Sequence, residues 1–360
     1  MSESGKGGQS GRWVVAMLLL AGVVGAAIAY AWWSHQQAGW QRQGVPPKEA
    51  AGSSADAGAL ADEVKLVVEQ FSEAVEKVRP LEPVRAAAQR LCEKYPQSAD
   101  ARRLMGEVLL AMEDKPAAYE QFRLSLALDG RQPEVEVLAG IICEERGDLD
   151  KALVHYHSAV TLEPTSARYL TFLGNAYALK GERAKAMTTV LEAISIDSSH
   201  HRAYGVLANL FAQDGKNELA MQQIDKAIEH VSINERPAQV GYLRFKAMLL
   251  RRDNRPEESL QLLTQALLPA EQADKAVLPD IATTWGMLGQ PLRAAELYEQ
   301  TLALDPTRWE LLVDAAQWRI KAGDLAAARL HIDALRKLQP NHPALNDLMD
   351  SLANAAAAAP

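Results

Sequence analysis

Residues 65–342 repeat with a period of 34, and that period limits the possible folds more than any other feature of the chain. With Ala99 as position 1, further windows open without a gap at Pro133, Ala167 and His201. Residues 235–239 are additional and precede a window at Val240. One more additional residue precedes the window at Lys275, and the last full window opens at Trp309; a weaker one fits backwards from Lys65. Position 8 is then small throughout (Ser72, Gly106, Gly140, Gly174, Ala208, Ala247, Ala282, Ala316). Position 20 is small in all but the first (Val84, Ala118, Ala152, Ala186, Ala220, Ser259, Ala294, Ala328). Position 24 is bulky in most windows, from Phe122 and Tyr156 to Tyr298 and Ile332. Position 15 is Gly147, Gly181, Gly215, Gly289 and Gly323, with Asn254 once in its place.

This pattern has one physical reading, a pair of amphipathic helices per window. Apolar residues recur at i, i+3, i+4 and i+7, as in Leu170, Leu173, Gly174 and Tyr177. A Gly or Asn at position 15 supplies the left-handed residue that ends the first helix. Small residues at positions 8 and 20 let the two helices approach, and position 24 fills the space beside them. Pro96, Pro164, Pro306 and Pro340 stop the second helix.

Stretches such as FLGNAYALKGERAKAM and AVTLEP are similar to the tetratricopeptide repeat, over nearly the whole of residues 65–342. The resemblance implies an all-α, right-handed tetratricopeptide-type solenoid of about eight helix-turn-helix units. Departures from the pattern predict local irregularity. The first unit has Val84 at the small position and Arg79 where glycine is expected. Pro279 falls inside the first helix of the Lys275 unit, Pro269 ends the preceding helix early, and residues 232–239 should form a bulging turn. Beyond the last unit, Leu345, Leu348, Met349 and Leu352 mark a capping helix that covers the apolar end of the stack.

The N-terminal sixty residues follow other rules. After a Gly- and Ser-rich tail at 1–12, residues 13–33 (WVVAMLLLAGVVGAAIAYAWW) carry no charge. As a helix they reach roughly 31 Å, the thickness of a bilayer's hydrocarbon core. Trp13 at one end and Tyr30, Trp32 and Trp33 at the other suit the two headgroup levels. A transmembrane helix, and so a single-pass membrane protein, is expected. The rival is a cleaved signal with Ala29-Tyr30-Ala31 as its site, which would leave a secreted soluble protein, but the apolar run exceeds the usual ~7–15 residues. Arg12 abuts the span, which favours an N-terminus in the cytoplasm and the soluble part on the non-cytoplasmic side. Ala21, Gly25 and Ala29 recur every fourth residue, the spacing that lets two spans pair as a homodimer. Residues 34–60, with Pro46 and Pro47, read as a flexible linker of roughly 29 Å. The solenoid with its cap then occupies 61–353, and 354–360 is a disordered tail.

Composition removes several functions. The net charge of −8 argues against a nucleic-acid partner, whose affinity rests on cations neutralising phosphates. Two cysteines make no disulfide framework, and no HExxH, Walker A, G-x-S-x-G or Gly-rich nucleotide motif occurs. No enzyme activity, cofactor or metal is expected. His155 and His157 diverge on a helix, and His200-His201 falls at a turn between units.

The resemblance to tetratricopeptide repeats implies instead a concave groove lined by positions 2, 5, 9 and 12 of the first helices. Here these positions include Arg168, Asn175, Arg202, Asn209, Arg244 and Arg251. Asn can donate to and accept from a peptide backbone, while Arg can fork onto a carboxylate. Glu107, Glu134, Glu144 and Glu145 form an acidic end in the preceding units, and the lysines of the chaperone-tail-binding version are absent. The expected function is a membrane-anchored interaction scaffold or assembly factor for a membrane or secretion complex that binds protein or peptide segments. The alternative is a structural, oligomerising spacer whose groove stays empty.

Overall fold

The computed structural model describes residues 54–358. The span at 13–33, the tail at 1–12 and most of the linker at 34–60 lie outside the described residues. Among the described residues no helix is long and apolar enough to cross a membrane, and all regular structure is helical. The chain divides into two compact units between Leu210 and Phe211.

The first unit contains α1 (Ser54–Glu76), α2 (Glu82–Lys94), α3 (Ala99–Ala111), α4 (Lys115–Leu128), α5 (Pro133–Glu145), α6 (Leu149–Leu162), α7 (Ala167–Lys180), α8 (Arg183–Ile196) and most of α9 (His201–Gln213). Their starts follow from local chemistry. Ser98, Asp114, Asp148 and Ser166 each accept a hydrogen bond from the backbone N–H three residues on, satisfying a donor the helix itself leaves unpaired. Where position 8 is glycine in this unit, it meets position 24 of the same hairpin. A Cβ added at Gly106 would lie 2.5 Å from the Phe122 ring, one at Gly140 2.6 Å from the Tyr156 ring, and one at Gly174 2.5 Å from Val190 Cγ2. The glycines therefore hold no spare room; their missing methyl is the space that the partner's side chain fills.

The left-handed turn residue is as expected wherever it is Gly or Asn, with φ of 72° to 85° at the glycines and 57° at Asn254. Two turns achieve it without such a residue. Glu113 occupies position 15 of its unit at φ 63°, and in the first unit the left-handed residue is Val78 (φ 50°), one place before Arg79. Val78 is 91% exposed, so a β-branched side chain bears the strained backbone in water, where only the main chain resists it. The Val84 anomaly resolves by exchange. Val84 is buried on α2, and the bulky position 24 of that unit is Ala88, also buried, so large and small have swapped along one helix face.

Two of the boundary expectations change. Residues 54–60, read as linker, are helical, because α1 reaches back to Ser54. Described residues 354–358, read as tail, are helical too, since a run of alanine continues a helix once one has begun.

The second unit contains the end of α9 and then α10 (Asn217–His230), a single 3₁₀ turn (Ile233–Glu235), α11 (Arg236–Arg252), α12 (Pro256–Gln265), α13 (Pro269–Gln272), α14 (Leu278–Met287), α15 (Pro291–Leu304), α16 (Leu311–Lys321), α17 (Leu325–Leu338) and α18 (Ala344–Ala358). The additional residues at 236–239 do not bulge; they lengthen α11 at its start. Its first residue, Arg236, forks onto Glu271 of α13 with two bonds of 2.7 Å, fastening the long helix to the irregular segment. Pro279 does not interrupt its helix, because α14 begins only at Leu278 and puts the proline in the first turn, where no backbone donor is needed. Stacking also continues past Pro269: Leu243, Ala247, Leu263, Leu267, Val277 and Ile281 share one core cluster. At the C-terminal end, Leu345 and Leu348 of α18 pack on Leu312, Ala316, Ile332 and Leu335. This covers the last hairpin.

Candidate partner-binding surface

In the first unit the first helices of successive hairpins, α3, α5, α7 and α9, carry the residues assigned to the groove. Arg168 opens α7 half-buried, its guanidinium carbon 5.9 Å from the Phe172 ring centroid and 6.0 Å from that of Tyr169. Cation–π contact of this kind orients a guanidinium. Arg202 holds the same position one repeat on and is also half-buried. Beside it, burial first, then His201, Arg202 and Arg168, push the His200 imidazole down to about 4, so it is uncharged at neutral pH. Asn175 and Asn209 differ from this pattern. They are 1% and 2% exposed, too enclosed to lie along an open groove floor.

Asn175 has an internal role. Its Nδ2 donates to Glu144 Oε1 (3.1 Å), and Tyr156 Oη donates to Glu144 Oε2 (3.2 Å). Asn175, assigned by sequence to the peptide-binding row, and Glu144, assigned to the acidic end, are thus one hydrogen-bonded group, and Tyr156 completes it. Sequence reasoning could have found this only by noticing that positions 12 and 24 of one repeat and 9 of the next meet. Burial raises the Glu144 carboxyl from 4.5 to about 7, with Glu145 adding to the rise and the two donors opposing it. The folded chain therefore holds a proton there between those values that the unfolded chain has released. Stability contributed by this group falls as pH rises across that window. Glu144→Gln is expected to stabilise the protein by ~2–3 kcal/mol at pH 8 and by nearly nothing at pH 4.5, measured by urea unfolding at the two pH values.

The other acidic residues are engaged locally. Glu107 Oε1 receives Arg103 Nη1 at 2.9 Å, and Glu145 pairs with Lys115 at 3.0 Å. Glu134 lies by the Tyr169 phenol, which burial and then that carboxylate push well above the usual range. The two histidines of α6 go separate ways: His155 Nδ1 meets Glu136 Oε2 at 2.6 Å, and His157 Nε2 meets Tyr177 Oη at 2.7 Å. Among the described residues no three His, Cys, Asp or Glu side chains are grouped to hold a metal ion. Both cysteines are buried free thiols.

In the second unit Arg244 and Arg251 converge on one carboxylate that the sequence reading did not single out. Arg244 Nε donates to Asp280 Oδ2 (2.7 Å) and Arg251 Nη2 to Oδ1 (2.8 Å). Arg251 Nη1 also reaches the Asp280 carbonyl (3.1 Å) and Thr284 Oγ1 (3.3 Å). These two arginines bind an acid, as their chemistry implies, but the acid is the chain's own and belongs to the next repeat.

Comparison with known proteins agrees with this architecture. Two tetratricopeptide-repeat family models match, one over residues 167–200 and the other over 287–352. No curated protein matches the sequence. Among solved structures the chain resembles the pilF protein of Pseudomonas aeruginosa, with a TM-score of 0.51 and 16% identity over 62% of this chain and 99% of that one. It also resembles the APC/C Cut9–Hcn1 hetero-tetramer (TM-score 0.56, 15% identity, 84% of this chain and 57% of that one). A third likeness is to a tetratricopeptide repeat protein of Parabacteroides merdae (TM-score 0.52, 19% identity, 71% and 99%). At such identities the likeness concerns the fold. Each of the two units thus contains tetratricopeptide repeats recognisable in sequence, and the described residues have the all-helical repeat-solenoid fold of proteins built from them.

Proposed function

We propose that this chain is an interaction scaffold, held at a membrane by residues 13–33, that binds extended segments of other proteins along the first-helix row of its repeats. The observation that carries the reading is the charged edge of that row. Glu134, Arg168 and Arg202 occupy position 2 of three successive repeats, and all three are half-buried. Half-buried charges at repeat spacing suit an extended partner, since each bond is partly shielded from water and the register recurs along the chain. Asn175 acts behind this edge by holding Glu144. The apolar length of 13–33 supports the tether, which raises the local concentration of a captured partner near the bilayer. Arg12 supports an N-terminus in the cytoplasm and the small residues of the span support its pairing. Assembly of a membrane or secretion complex is the role such a tethered scaffold fits.

The test is photocrosslinking of the full-length protein in native membranes, followed by mass spectrometry. Arg168→Ala with Arg202→Ala is expected to lower the recovered partner at least tenfold in a protein that keeps its helicity and a cooperative thermal transition. Equal recovery from wild type and double variant removes the row as the binding surface.

A further inference from the structure

The second unit contains the same register position twice, once filled and once not. Asp280 and Asp314 both stand at position 6 of their repeats, 34 residues apart. Asp280 is clamped by Arg244 and Arg251, from positions 5 and 12 of the repeat before it. One repeat on, the residues at those two positions are Pro279 and Gly286, neither of which carries a cation. The benzo edge of Trp318 packs directly onto Gly286, taking the place where a longer position-12 side chain would run.

Asp314 sits in the first turn of α16, half-buried, and its carboxylate receives no side-chain hydrogen bond from the described residues. Its surroundings are those of an acid short of a counter-charge. Burial, then the like charge of Glu310, raise its carboxyl from 3.8 to about 6, and Arg308 only partly opposes them. Arg308 is committed elsewhere, with Nε to Glu310 Oε1 (3.1 Å) and Nη1 to the Lys275 carbonyl (2.9 Å). Across from Asp314, the Tyr298 phenol is already bonded to Thr283 at 2.8 Å. Lys321, roughly 10 Å further along the same helix, lies over the Trp318 ring, 4.1 Å from its centroid.

We infer that Asp314 is a docking point for an arginine or lysine side chain of a bound protein segment, which would supply from outside the cation that Arg244 and Arg251 supply to Asp280 from within. The inference rests on the scaffold reading and names one element of the partner's chemistry. A partner that places a cation here forms charge-assisted hydrogen bonds of the kind that Asp280 receives internally, by another approach than the one Trp318 fills.

The experiment uses the full-length protein in nanodiscs and fluorescein-labelled, end-capped alanine heptapeptides whose central residue is Arg, Lys, citrulline or Glu, read by fluorescence anisotropy. Citrulline keeps the shape of arginine without its charge. The Arg peptide is expected to bind at least tenfold more tightly than the citrulline peptide, and Asp314→Asn is expected to abolish that preference. Asp347→Asn, at an exposed site of α18, should keep it. Equal binding of Arg and citrulline peptides, or a preference that survives Asp314→Asn, overturns the inference and leaves the scaffold reading standing. Absence of binding by every peptide up to millimolar concentration also overturns it, and the crosslinking yield described above then decides the scaffold reading separately.

Discussion

Tyr156→Ala should cost about 4 kcal/mol, the range for removing a fully buried aromatic side chain from a packed interior. The Tyr156 ring has no solvent exposure, stacks on Phe172 with centroids 5.6 Å apart and closes directly over the backbone of Gly140. Its truncation empties a space bounded by backbone, which cannot collapse inward as flexible side chains do. It also takes away one of the two donors that hold Glu144. Tyr156→Phe keeps the ring and loses only the hydrogen bond, so its cost should be about 1 kcal/mol. Chemical unfolding followed by circular dichroism at pH 7 measures both. A further variant separates packing from polarity. Gly140→Ala with Tyr156→Ile installs the pair that Ala316 and Ile332 form in the last hairpin, and it should recover a measurable part of the loss. If the double variant is no more stable than Tyr156→Ala, the position 8 and 24 pairing is not what sets the hairpin's stability.

Asp280→Ala should be nearly as damaging, at about 3 kcal/mol, for an electrostatic reason. The Arg251 side chain is only 9% exposed. Without Asp280 its guanidinium stays largely out of water with no opposing charge, and Arg244 loses the same partner. Removing one member of such a group typically costs 3–5 kcal/mol, because the remaining charge is left uncompensated. Replacing the whole group with apolar residues, Arg244→Met, Arg251→Met and Asp280→Leu together, should restore most of the stability, since what is then lost is specificity rather than burial. Thermal unfolding of the three-residue variant against Asp280→Ala is the measurement. An Asp280→Ala variant with unchanged stability would mean the clamp is ornamental.

The repeat register was legible in the sequence because it is a packing rule written into side-chain size. Gly106, Gly140 and Gly174 had to be small for Phe122, Tyr156 and Val190 to close on them, and the structure shows those contacts. Turn ends were legible where glycine or asparagine supplied the left-handed backbone. They were not where Glu113 and Val78 adopt it, because those side chains carry no preference for it and only the surrounding helices impose it. In the irregular region the helix before Pro269 ends early as expected, at Gln265, whereas the start of the helix at Pro279 was misjudged for a related reason. A proline within a periodic run can be accommodated by a later helix start, and periodicity alone does not say where the helix begins.

The surface was harder to read than the fold. Position numbers told which way a side chain sets out from its helix, but not what it meets. Arg244 and Arg251 were read as partner-binding groove residues, and the acid they meet is the chain's own, 36 and 29 residues further on in sequence. Asn175 was read as a groove amide for a peptide backbone, and its partner is instead a carboxylate from the neighbouring repeat. Such pairings depend on how adjacent repeats stack, which no single window contains. The apolar run at 13–33, by contrast, needs no tertiary information to be noticed, and its function belongs to the tether proposed above.

The lock between positions 8 and 24 has a consequence for heredity and for engineering. A single helix of this molecule cannot be moved to another place in the array. Alanine-bearing α16 set opposite Phe122 would overfill its new hairpin, whereas glycine-bearing α3 set opposite Ile332 would leave a hole. Both helices must travel together with their loop, so the smallest transplantable cassette is the whole hairpin, and lengthening or shortening such an array should succeed only when the cuts fall between hairpins.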